Sequence, residues 1–293
     1  MGGVSSSAKC GLLLLLAAVD KFRPRRDFLP ILNYHAIDED DSPTSLAPDQ
    51  FALHMDILAA RRTATVTFGE AVDLLSRPGR LPLNTVCLTF DDGLESVYTA
   101  AFGLLSERGF KATVFLTTGT RDNSVDWERD PSIAARRLLD GDQVVALKEG
   151  GFEIGGHTRT HPHLTELDDE SLEQEIFANR DDVAEITGVR PETFAYPYGD
   201  HDDRVLSVLE RAGYKGACTI TPPGRSMGRD PYRVERIDVS RFSSHRGRLG
   251  KMSFISCLNG VFADYINIKR TMPFFKTRTF EYRERKRRDE SRR

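Results

Sequence analysis

The chain has little cysteine, one tryptophan and no long hydrophobic run. Four cysteines (Cys10, Cys87, Cys218, Cys257) in 293 residues, none at C-x-x-C spacing, do not make a disulfide framework. The apolar run Leu12–Val19 has only eight residues, too few to cross a hydrocarbon core of about 30 Å. No G-x-G-x-x-G and no P-loop occurs, and no internal repeat is visible. Positive charge is scarce until the end of the chain. Residues 276–293 hold nine Lys/Arg against four Asp/Glu, which leaves −8 on residues 1–275 out of a total of −3. An acidic body argues against nucleic-acid binding. The remainder is ordinary, at 39% hydrophobic and 29% charged with a mean hydropathy of −0.40. Collagen-like, low-complexity and multi-span membrane classes are excluded, and the length suits one large domain.

At the N-terminus, Lys9 and the Leu12–Val19 run resemble the h-region of a signal peptide, although Ala17-Ala18-Val19 puts Val where a small residue is wanted. The opening Met-Gly-Gly-Val-Ser-Ser also satisfies the loose N-myristoylation pattern. Residues 1–28 therefore read as a targeting-like segment, and the cell envelope or an extracytoplasmic location is expected over the cytoplasm. The basic tail, 276–293, reads as frayed and solvated. Peripheral membrane contact through either terminus stays open, and nothing bears on oligomeric state.

Between the ends, strand-like and helix-like segments alternate. Strands are predicted at Leu29–Tyr34, Ala64–Phe68, Thr85–Phe90, Thr113–Thr117, Phe152–Gly155, Thr193–Tyr196, Ala217–Thr221 and Arg233–Val239, rich in β-branched and aromatic residues. Helices are predicted at Asp49–Arg62, Gly69–Ser76, Leu94–Arg108, Asp142–Glu149, Asp169–Thr187 and Asp203–Ala212. Such alternation, without a nucleotide-binding loop, predicts a distorted (β/α) barrel of seven to eight strands over 29–240. A helical extension is expected over 241–275. Residues 119–141 interrupt the pattern and carry Trp127. Placed at the active face they would wall a substrate groove, with Trp127 stacking on a sugar or pinning its own loop.

Three strand ends hold residues suited to chemistry. In Thr89-Phe90-Asp91-Asp92-Gly93 two adjacent carboxylates are costly to crowd unless a cation or proton resolves their repulsion. Strand alternation lets one bind metal while the other faces substrate, whereas an N-cap for the next helix is the plain reading. In His157-Thr158-Arg159-Thr160-His161-Pro162-His163, two imidazoles at i and i+4 can converge on one ion. Three of the chain's seven histidines lie in that stretch; His163 is expected to make a local hydrogen bond. Two His and one carboxylate suit hydrolytic zinc, or iron and oxygen chemistry, and the spare carboxylate favours hydrolysis. The third end, Phe194-Ala195-Tyr196-Pro197-Tyr198-Gly199-Asp200, reads as a tight loop.

T-F-D-D-G, then H-T-x-x-H-P about 65 residues later, then F-A-Y-P-Y-G resembles the polysaccharide deacetylase family, the NodB-homology or carbohydrate esterase 4 group. The resemblance implies a barrel with its site at the C-terminal strand ends. It implies Asp91 as general base, and Asp92, His157 and His161 as ligands of a divalent metal, zinc before cobalt, nickel or iron(II). Tyr198 matches the residue whose backbone N–H holds the oxyanion, and Thr158 the hydroxyl position between the histidines. Two positions depart from the pattern. Ala195 stands where many members have an Arg that orients the catalytic Asp, and Arg236 is the expected substitute. No late Leu-x-His occurs. Instead Asn33-Tyr34-His35 ends the first strand, as in the permuted branch acting on exopolysaccharides, which makes His35 the expected general acid, with His245 the other candidate. The resemblance implies metal-dependent removal of N-acetyl groups from an N-acetylglucosamine polymer. De-N-acylation or deformylation of a small or lipid-linked amino sugar, and carbohydrate binding without catalysis, are the alternatives.

Overall fold

The computed structural model describes residues 28–239 except 41, 129, 130, 135 and 221–229, together with 254, 255, 257 and 258. The targeting-like segment before Phe28, nearly all of the 241–275 extension, and the 276–293 tail lie outside the described residues. Among the described residues, no helix is long and apolar enough to cross a membrane.

Among the described residues eleven strands are present in chain order: β1 Ile31–Tyr34, β2 Ala36–Ile37, β3 Ser45–Leu46, β4 Ala64–Val66, β5 Thr85–Phe90, β6 Thr113–Leu116, β7 Glu153–Gly156, β8 Thr193–Ala195, β9 Gly216–Thr219, β10 Val234–Glu235 and β11 Ile237–Asp238. The main sheet is parallel and runs β10-β9-β8-β7-β6-β5-β1-β11. Only Arg236 separates β10 from β11, so the two ends of that path are one segment. Val234 pairs with Cys218 on one side of Arg236 and Ile237 with Leu32 on the other. This closes the sheet into the distorted barrel that the alternation predicted. β4 pairs with the first half of β5 (Ala64↔Thr85 to Val66↔Cys87), and β6 with the second half (Thr89↔Thr113, Phe90↔Val114).

The helices begin and end on local chemistry. Helices α1 Pro48–Ala60, α2 Phe68–Ser76, α3 Gly103–Glu107, α4 Gly141–Glu149, α5 Asp169–Thr187 and α6 Asp203–Ala212 follow the predicted order. Thr67 with Glu70, and Asp140 with Gln143, form reciprocal capping boxes. Asp168 and Asp202 cap α5 and α6, and Gly188 and Gly213 stop them at φ 73° and 83°. One predicted helix differs. From Glu95 the chain is helical as predicted, but not α-helical throughout; at its start Glu95 N–H donates to Arg137 O, and Leu139 N–H returns to Gly93 O. The backbone then takes a π-helical turn at Val97–Phe102 before α3. The short parallel β2–β3 pair lay outside the sequence prediction.

The N-terminal end of the barrel is tied by one carboxylate. Glu153, at the start of β7, accepts from Gly69 N–H (2.8 Å), Thr113 Oγ1 (2.9 Å) and Thr193 Oγ1 (2.8 Å), joining three strands to the start of α2. Farther up β7 the barrel wall is tight. A Cβ on Gly155 would lie 2.5 Å from Phe115 Cδ1 and 2.9 Å from Thr193 O. Gly155→Ala should therefore overpack the strand and destabilise the fold by about 1–3 kcal/mol, read from chemical denaturation midpoints; an unchanged midpoint would contradict this packing.

Candidate active site

The predicted residues gather at the C-terminal ends of the strands. His35 follows β1, Asp91 and Asp92 follow β5, His157 and His161 follow β7, Tyr198 follows β8, and Arg236 lies between β10 and β11. The seven residues come from five far-separated parts of the chain, and barrel closure brings them together.

Asp91 and Asp92 are adjacent in sequence and face different partners. Asp91 is buried and takes a two-pronged ion pair from Arg236, with Nη1 2.7 Å from Oδ1 and Nη2 2.7 Å from Oδ2. Asn33 Nδ2 donates to the same Oδ2 at 3.1 Å. Arg236 Nη1 also reaches Asn33 Oδ1 (2.9 Å) and Thr89 Oγ1 (3.1 Å), and its Nε donates to Thr219 O (3.2 Å). Every arm of a fully buried guanidinium is thus engaged. Burial alone would push the Asp91 carboxyl up, but the charge and hydrogen bonds of Arg236 hold it below the usual range. Asp91 in turn raises Arg236 against the effect of its burial. His35 Nε2 lies 3.9 Å from Asp91 Oδ2.

Asp92 turns away through a left-handed backbone at φ 71°, followed by Gly93 at φ 72°. Its Oδ1 is 3.4 Å from His157 Nε2 and 3.5 Å from His161 Nε2. His157 is oriented by a 2.7 Å contact between Nδ1 and Ala195 O, so Ala195 contributes to the site through its carbonyl. Burial and the neighbouring His157 push the His161 ring down to about 3, the neutral form that a metal requires. The three donor atoms lie within 4.8 Å of one another. Donors at about 2.0–2.1 Å from a tetrahedral zinc stand about 3.4 Å apart, so Asp92, His157 and His161 fit a divalent cation in donor type and spacing.

The site is strained as well as crowded. Asp92, Thr158, His161 and Tyr198 all have φ between 57° and 71°, a region uncomfortable for residues with a Cβ. The 158–161 turn is braced by His161 N–H to Thr158 Oγ1 (3.0 Å) and by Asn179 Nδ2 to Thr158 O (2.7 Å). His163 does not make the local hydrogen bond expected of it: its Nδ1 is 2.6 Å from Asp200 Oδ2, 37 positions away, and its ring stacks on Tyr198 at 4.0 Å. That pair joins the loops after β7 and β8.

The insertion after β6 does reach this face. Trp127 stacks on His161, with ring centroids 4.8 Å apart and planes inclined by 21°. Trp127 also packs against Val125 and Leu138 of its own insertion, in keeping with the loop-pinning role expected of it, and the stack on His161 is an additional contact. Sequence reasoning also passed over Asn33 and Thr89. A polar residue inside the fully buried strand Ile-Leu-Asn-Tyr is the signal that would have found Asn33. His245 and the rest of 240–253 lie outside the described residues.

Residues 79–217 match the family model for polysaccharide deacetylase. The chain is 27% identical to YxkH of Bacillus subtilis over 72% of its own length and 71% of that protein. It is 32% identical to chitin deacetylase 2 of Cryptococcus neoformans over 42% of its length, but spans only 23% of that relative. It is 22% identical to the poly-beta-1,6-N-acetyl-D-glucosamine N-deacetylase of Staphylococcus aureus, covering 67% of this chain and 68% of that one. Among solved structures, the Streptococcus pyogenes deacetylase PplD in complex with acetate superposes with a TM-score of 0.61 at 25% identity, over 72% of this chain and 91% of that one. IcaB from Ammonifex degensii shares the fold with a TM-score of 0.65 at 22% identity, over 80% and 98% of the two chains.

Arg236→Met would leave the Asp91 carboxylate buried without its cation. Stability should fall by about 3–5 kcal/mol, and the carboxyl should titrate at higher pH than in the unmutated protein. Because Asp91 is depressed in the folded state, the pair stabilises at pH above the ordinary Asp range and loses this as pH falls through the folded pKa. Denaturation of both proteins across acid and neutral pH checks this: the difference should shrink on acidification.

Proposed function

We propose, from the match of residues 79–217 to the polysaccharide deacetylase family model, that the protein is a metal-dependent hydrolase of carbon–nitrogen bonds other than peptide bonds, removing N-acetyl groups from a polymer of N-acetylglucosamine. The observation that carries this reading is the division of labour between two neighbouring carboxylates: Asp91 faces Arg236 and His35, while Asp92 faces His157 and His161.

Asp92, His157 and His161 would hold the cation, zinc before cobalt, nickel or iron(II). Such an ion supplies Lewis acidity toward the acetamide carbonyl and lowers the pKa of a water beside it. Asp91, kept ionised and aimed by Arg236 and Asn33, takes the proton of the attacking water. The backbone N–H of Tyr198, in the strained turn after β8, donates to the oxygen that gains charge. His35, across from Asp91, returns a proton to the departing nitrogen. Acetate and a free amino sugar leave. The named relatives acting on chitin and on poly-beta-1,6-N-acetyl-D-glucosamine support a polymeric substrate. Such a polymer, with the apolar N-terminal run, supports a location in the cell envelope or outside the cytoplasm.

Acetate release from N-acetylglucosamine oligomers should be abolished by a chelator and restored by Zn2+ or Co2+. Asp91→Asn should eliminate turnover while the protein still binds metal; near-normal activity in that variant would sink the assignment. Faster release from a monomeric or lipid-linked amino sugar than from the oligomers would instead indicate a small-substrate de-N-acylase. For His35→Ala the rate should drop by about 10²–10⁴, with the basic limb of the pH–rate profile altered. Unchanged kinetics there would remove His35 from the proton transfer.

A further inference from the structure

The two imidazoles that face Asp92 are held in different ways. His157 is fixed by the contact of its Nδ1 with Ala195 O at 2.7 Å. A metal-binding histidine ordinarily gives its second ring N–H to an acceptor of this kind, which fixes both tautomer and ring orientation. His161 Nδ1 is also buried but has no hydrogen-bond partner among the described residues. Its ring is instead enclosed by other rings. Tyr198 meets it edge-on at 4.6 Å and 73°, His157 at 4.9 Å and 72°, and Trp127 lies nearly face to face at 4.8 Å and 21°.

Trp127 is firmly placed. The segment on either side of it folds into a short antiparallel ribbon, in which Val125 N–H donates to Arg136 O (3.0 Å) and Leu138 N–H to Asn123 O (2.9 Å). The ribbon is bridged to Leu94, just past the two carboxylates. Arg136 reaches from it to Asp38 (3.2 Å) and Thr44 (3.1 Å), in the loop that follows His35. Val125 and Leu138 share a small apolar cluster with Ala36 and Leu94, and Trp127 packs against it. The indole is therefore attached to the segments carrying His35, Asp91 and Asp92, and its free face covers His161.

We propose that Trp127 is a positioning residue for the cation site, its stacking on His161 doing the work that a hydrogen bond to Nδ1 does for His157. The ring face restricts rotation of the imidazole about its Cβ–Cγ bond and keeps Nε2 toward Asp92. The insertion thereby sets cation affinity as well as bordering the site. The proposal rests on the reading of Asp92, His157 and His161 as a cation site.

The chain has one tryptophan, so the residue reports on its own contact. Full-length protein, freed of metal, is titrated with Co2+ while tryptophan emission and visible absorption are followed. Zn2+ affinity is measured by competition with a chromophoric chelator. In the unmutated protein Co2+ should quench Trp127. Trp127→Leu, which fills space without a ring face, should bind Zn2+ about 10–100-fold more weakly and give an altered Co2+ absorption band. Trp127→Phe should recover most of the affinity and the unmutated band, with far-UV circular dichroism the same in all three. Unmutated Zn2+ affinity and Co2+ band in Trp127→Leu would overturn the proposal, as would a Trp127→Phe variant no better than Trp127→Leu. His161→Ala separates the two readings. Loss of binding there, with none in Trp127→Leu, removes only the role of Trp127. No binding of either ion by the unmutated protein would remove the cation site, and this proposal with it.

Discussion

The buried ion pair of Asp91 and Arg236 is the constraint around which the site is organised. Two charges taken out of water are expensive, and their attraction offsets that cost only if geometry is good and the remaining donors and acceptors are met. Both conditions hold: the contact is two-pronged, and Asn33, Thr89 and Thr219 O occupy the remaining positions. Arg236 is also the single residue between the two halves of the closing strand. Hydrogen bonding to β9 on one side and to β1 on the other delivers the guanidinium to the barrel interior. Closing the barrel and aiming the carboxylate are therefore one event.

The same economy of elements appears at the rim. Asp92, Thr158, His161 and Tyr198 adopt left-handed backbone conformations that cost free energy unless their surroundings impose them. The surroundings are specific: Gly93 leaves room beside Leu116, Asn179 braces the turn after β7, and His163 with Asp200 joins that turn to the one after β8. The stabilising contacts of the opposite end, gathered on Glu153, are separate from these. Such a separation of a stable base from a strained, reactive top is what a parallel barrel permits.

Charge follows the same division. The acidic balance of residues 1–275 includes two carboxylates that do not face solvent as free charges. One is neutralised by Arg236, and the other stands against two imidazoles.

Local chemistry determined much of this from the amino-acid order alone. The capping residues Asp168 and Asp202 and the stops Gly188 and Gly213 bound α5 and α6 at the predicted residues, because caps act within one turn of the chain. The strand Thr85–Phe90 and the pairing of His157 with His161 were likewise readable, since a strand's composition and two histidines four apart are short-range patterns, whereas Asp92 rather than Asp91 as their partner was implied only by the family resemblance. Arg236 could be named from sequence, but not aimed: its 145-residue separation from Asp91 is bridged only by the closed sheet. Asn33 looked like one residue of an apolar strand. The π-helical turn at Val97–Phe102 has no signature in the local sequence, and neither does the pairing of Glu95 N–H with Arg137 O, 42 positions along the chain. Trp127 was an isolated aromatic in a polar insertion until folding laid it on His161. The sequence determined which elements form and which side chains they carry, because those depend on near neighbours. Only the tertiary structure decided which carboxylate meets the arginine and what holds each histidine, because those contacts exist only once the barrel has closed.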